Sequence, residues 1–99
     1  MSEPLTDAQI EQALAELPGW RYEDGKLRCE HVFGDFKEAM SFIVRLAFHA
    51  EQQQHHPEIF NVYNKVRLAL NTHDAGGRVT QKDVKLARTI ADFAWRKPA

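Results

Sequence analysis

Residues Glu51–His73 read EQQQHHPEIFNVYNKVRLALNTH, and the stretch changes character at its two adjacent histidines. His56 precedes a proline, which disfavours the α conformation, so a helix arriving from the N-terminal side should end at about His56. Beyond the proline the period becomes two. Phe60 and Val62 alternate with Asn61 and Tyr63; then Val66, Leu68 and Leu70 alternate with Arg67, Ala69 and Asn71. This pattern predicts two strands of a hairpin. A two-residue Asn64-Lys65 loop would pair Asn61 with Leu68 and Val62 with Arg67, mixing the faces. A three-residue loop over Asn64–Val66 pairs Val62 with Leu68 and Phe60 with Leu70, so alternation selects the odd loop, with a bulge. Continued outward, that register sets Asn71 opposite Ile59 and His73 opposite Pro57. The distant His73 is thereby carried to the His55-His56 pair.

Working outward, Phe36 to His56 has helical spacing. One stripe holds Phe36, Ala39, Ile43, Leu46 and Ala50; a second holds Met40, Val44 and Phe48, with Phe42 outside both. So wide an apolar surface exceeds what packing on one sheet face requires, and predicts a helix-mediated oligomer. Nearer the N-terminus, Thr6 and Gln9 form a capping box for a helix carrying Ile10, Ala13, Leu14 and Leu17, which Pro18-Gly19 ends. Asp24-Gly25 then predicts a two-residue hairpin turn in which Glu23 faces Lys26, Tyr22 faces Leu27 and Trp20 faces Cys29. After a flexible Gly76-Gly77 turn, Thr80 and Asp83 make a second capping pair. It opens a helix lined by Val84, Ala87, Ala91 and Ala94, with Leu86, Ile90 and Phe93 beside them. The predicted fold is α+β: a four-stranded antiparallel sheet with three helices on one face, in the order α-β-β-α-β-β-α.

Ninety-nine residues make a single domain over 1–99, and 43% hydrophobic with 27% charged residues is an ordinary globular composition. The 13 basic and 14 acidic side chains are well mixed, and no basic tract offers a nucleic-acid surface. No apolar run is long enough to span a membrane, and no signal peptide is recognisable. A single cysteine, Cys29, excludes an internal disulfide and suits a reducing compartment, so the expected location is the cytoplasm.

Candidate chemistry gathers where the central helix ends. Glu51 and His55 are four apart and share a helix face if the last turn holds. His55, His56 and His73 with one carboxylate, near neutral pH, suit proton transfer. A zinc site built from Glu51, His55, His56 and His73 is the rival, but adjacent histidines seldom point at one metal and HExxH is missing. Asp83 is by default a helix cap, and Trp20 a core residue. His31 and His49 lie outside the cluster and are assigned no role.

Glu51, His55-His56-Pro57, Tyr63, His73 and Asp83 at these spacings, with "FNVYNKV" and "THD", resemble the signature of the pterin-4a-carbinolamine dehydratases. The likeness runs from Gly19-Trp20 to the last helix. It implies dehydration of 4a-hydroxytetrahydrobiopterin to quinonoid dihydrobiopterin without metal or organic cofactor, restoring the pterin used by aromatic amino-acid hydroxylases. It also implies a homodimer or homotetramer. By the same resemblance His55, His56 and His73 line the pterin site, with His56 and His73 moving protons and His55 orienting the substrate or assisting. Glu51 and Asp83 support the site, Thr72 and Asp74 touch the pterin, and Trp20 lies near it. Some relatives of such proteins serve instead as transcription coactivators or assembly factors, which makes a protein partner the alternative. Two positions depart from the pattern: Gln54 stands where many members carry an acid, and Ile59 where many carry tryptophan.

Overall fold

The computed structural model describes residues 3–94. Thr6 caps helix α1 (Asp7–Leu14) through the expected box, its hydroxyl accepting from the Gln9 N–H while the Gln9 side chain accepts from the Thr6 N–H. Strands β1 (Arg21–Glu23) and β2 (Lys26–Val32) form the first hairpin, with Tyr22 opposite Leu27 and Glu23 opposite Lys26. Asp24 and Gly25 both take positive φ, as that two-residue turn demands. Helix α2 (Phe36–Gln53) follows, then β3 (Glu58–Val62), β4 (Lys65–Leu70), a short 3-10 turn over His73–Ala75, and α3 (Gln81–Phe93). The sheet is antiparallel in the order β1-β2-β4-β3, so β3 is an edge strand.

Alternation sorts the sheet into two faces. Leu27, Cys29 and His31 of β2 and Val66, Leu68 and Leu70 of β4 are buried towards the helices. There they meet Ile10, Ala39, Phe42, Leu46, Val84, Leu86, Ala87 and Ile90. His31 belongs to this core, stacked 5.0 Å from Phe42, and His49 stacks 4.7 Å from Phe93. On the other face Arg67 lies over the Phe60 ring and bonds Glu30, whose carboxyl it holds below the usual range.

Three expectations are corrected. The second hairpin turns on two residues, Tyr63-Asn64, with Val62 opposite Lys65, Asn61 opposite Val66 and Ile59 opposite Leu68. Phe60 and Val62 therefore point to the open face of an edge strand beside Arg67 and Lys65, instead of joining the core. Tyr63 accepts positive φ to make the turn, and Asn61 braces it by donating to the Tyr63 and Lys65 carbonyls. Asn64 and Phe33 exchange two further hydrogen bonds, which lock the turn to the end of β2. Second, Phe42 is fully buried at the centre of α2's packed face, whereas Phe36 at the helix start is half exposed. Third, α2 stops at Gln53, and Gln54 caps it in the left-handed conformation three residues before the proline.

Candidate active site

Gln54 decides how the two histidines diverge. Its left-handed backbone turns the chain out of the helix, so His55 is buried and His56 is exposed. His55 Nε2 lies 2.5 Å from Oδ1 of Asp83, a carboxylate with no solvent exposure. The other oxygen, Oδ2, accepts from the Thr80 N–H and from the Thr72 hydroxyl, both at 2.8 Å. Thr72 gives its proton to Asp83, so Thr80 must donate across the 2.6 Å contact between the two hydroxyls, and Thr80 Oγ1 in turn accepts from the Lys82 N–H. Proton order is thereby fixed from the start of α3 to the carboxylate. An ionised carboxylate only accepts, so His55 donates from Nε2, which leaves Nδ1 as its remaining ring nitrogen.

Asp83 thus has two tasks. It completes the capping box of α3, as its spacing from Thr80 predicts, and it also holds His55. Glu51 is not the partner of His55: the left-handed turn at Gln54 breaks the helical spacing, and Glu51 Oε1 lies 3.3 Å from Nε2 of His56. His73 and Asp74 arrive on a loop closed by the Thr72–Arg78 bridge. Gly76 and Gly77 both take positive φ there, and Asn71 donates to the Gly77 carbonyl.

These elements enclose a cleft of about 390 Å³ lined by Gln54, His55, His56, Asn71, Thr72, His73, Asp74 and Lys82. That volume suits one small molecule. All three predicted histidines line it, as do Thr72 and Asp74, while Glu51 reaches it through His56. Trp20 does not line it and packs in the core. Among the described residues no group of three or more His, Cys, Asp and Glu is arranged to hold a metal ion, and Asp83 engages the Nε2 of His55.

The model of the family described as pterin 4 alpha carbinolamine dehydratase matches residues 3–93. The chain belongs to this family. A relative from Opitutus terrae, whose name places it among the pterin-4-alpha-carbinolamine dehydratases, is 55% identical over 92% of this chain and 94% of its own. One from Thermomicrobium roseum with the same name is 47% identical over 91% and 96%. A crystal structure described as a transcriptional coactivator/pterin dehydratase from Brucella melitensis superposes with a TM-score of 0.85. It is 38% identical and covers 91% of this chain and 97% of that one. Sequence reasoning did not place Asn71 and Lys82 at the cleft, or Thr80 in the hydrogen-bond network behind it. Thr80 was legible only as a cap, and the placement of Asn71 and Lys82 depends on how the strand end meets the start of α3.

Proposed function

We propose that the chain removes water from 4a-hydroxytetrahydropterins, giving the quinonoid dihydropterin, by imidazole acid–base catalysis. The reaction restores the pterin consumed by aromatic amino-acid hydroxylases. The observation that carries the reading is the convergence of His55, His56 and His73 on one cleft, with His55 fixed by buried Asp83. The C4a–O bond breaks as the N5–H proton is lost and the N5 electron pair forms the C=N bond. An imidazolium protonates the departing oxygen and a neutral imidazole accepts the N5 proton, each step worth roughly 10²–10⁴-fold. Exposed His56 and His73 exchange protons readily with water and take these roles. His55, held by Asp83, orients the pterin, with Thr72 and Asp74 lining the same cleft.

A second reading is a non-catalytic binding module, favoured by the coactivator named in the Brucella structure. The three cleft histidines favour catalysis, since binding alone does not need them. The exposed apolar side of α2 supports assembly as a homodimer or homotetramer. Stopped-flow dehydration of a 4a-hydroxytetrahydropterin tests the enzyme reading. Wild type is expected to exceed the spontaneous rate clearly, with His56→Ala losing most of the gain. Folded wild-type protein that leaves the spontaneous rate unaltered rejects the reading.

A further inference from the structure

Lys82 lines the same cleft as the three histidines, yet the buried network uses only its backbone N–H. Its side chain is exposed, and among the described residues no carboxylate forms an ion pair with its ammonium. Helix electrostatics do not explain it: Lys82 sits in the first turn of α3, where the helix dipole disfavours a cation. A residue that breaks a local rule with no compensating contact often does so for function. The ordinary alternative is a solvated surface lysine. Against it stands the lining of the cleft itself, in which Lys82 supplies the one ammonium among histidines, amides, a threonine and Asp74.

Pterin chemistry supplies a use for that cation, given the dehydratase reading above. N5 must reach an imidazole, and C6 is bonded to N5, so the first atom of the C6 substituent lies two bonds from the atom that loses its proton. With exposed His56 and His73 as the imidazoles that N5 meets, the substituent starts on the exposed side of the cleft, the side on which Lys82 also lies exposed. An ammonium offers three donors and no acceptor, so it engages oxygen atoms there and gains nothing from a methyl group. We propose that Lys82 is a specificity-determining residue that holds the oxygen atoms of the substituent at pterin C6.

The test compares kcat/KM for 4a-hydroxytetrahydropterins bearing a 6-methyl, a 6-dihydroxypropyl or a phosphorylated 6-dihydroxypropyl group. Wild type is expected to favour the oxygen-bearing substrates over the methyl one by roughly ten-fold, carried by KM. Lys82→Met should bring that ratio to about one, and Lys82→Arg should keep it. Equal preference for the two oxygen-bearing substrates assigns hydroxyl recognition, and a further gain with phosphate assigns an anion. A ratio that survives Lys82→Met, or a fall in kcat alike for all three substrates, overturns the proposal. Wild type that accelerates none of them removes the dehydratase reading and this inference with it.

Discussion

Asp83 holds His55 with one carboxylate oxygen and the start of its own helix with the other. The two residues are 28 apart in the chain, and their contact joins the end of α2 to the beginning of α3. The helix cap and the group that holds His55 are therefore the same side chain. Damage to either role should reach both stability and turnover.

Replacing Asp83 by Asn tests that coupling. An amide cannot accept from His55 on one side and from Thr72 and the Thr80 N–H on the other, so either a buried donor loses its partner or the imidazole must change tautomer to accept from the amide NH2. Stability is expected to fall by roughly 1–3 kcal/mol. The dehydration rate should fall by about 10²-fold or more as His55 loses its tautomer and orientation. Denaturant unfolding and stopped-flow kinetics on the same preparation measure the two effects. A full-rate Asp83→Asn enzyme would contradict the orienting role.

Glu51 offers the opposite case. Its pair with His56 is solvent-exposed, at 78% and 63% of the two side chains, so screening leaves it little energetic weight. Glu51→Gln should change unfolding free energy by less than about 0.5 kcal/mol while lowering kcat. Equal losses in both quantities would show that the pair is structural.

Much of this arrangement was legible in the sequence because it rests on local chemistry. Thr6 with Gln9 and Thr80 with Asp83 are capping boxes by spacing alone, and Asp24-Gly25 is a turn by its need for positive φ. What failed was the assumption that apolar residues of paired strands share a face. Phe60 and Val62 lie on an edge strand, whose open side tolerates them, and nothing local separates that case from a core strand. The true register is displaced by three residues from the expected one. Continued past Glu58 it sets His56 near Asn71 and His55 near Thr72. His73 joins the cleft from the 3-10 turn just beyond, so the grouping of histidines survives the wrong register. The left-handed Gln54, which sends His55 inward and His56 outward, has no glycine to announce it.

Tyr63 makes the corrected hairpin testable. Its φ of 51° lies in the left-handed region, where a side chain other than glycine's costs roughly 1–2 kcal/mol. The ring is largely exposed, so little packing is lost on its removal. Tyr63→Gly is expected to raise stability by about 0.5–1 kcal/mol, less than the strain because glycine also frees the unfolded chain. With the three-residue loop, where residue 63 would be ordinary strand, the same change would destabilise. Thermal or denaturant unfolding gives the sign.

The outer side of α2 yields the last expectation. Val44 and Phe48 are 56% and 74% exposed, and with Met40 and Arg45 they border an apolar hollow of about 460 Å³. Large apolar side chains gathered on one helix side, outside the packed core, mark an interaction surface more often than chance exposure. A second copy is the occupant we expect, because two such helices can bury their matching stripes against each other about a two-fold axis. Light scattering should then give wild type a mass that is a multiple of the chain's. Val44→Lys places a charge in the middle of the stripe without touching the packed residues Ala39, Phe42, Leu46 and Ala50, so the fold should persist while the mass falls. A wild-type monomer, or a Val44→Lys protein of unchanged multiple mass, would remove α2 as the assembly surface.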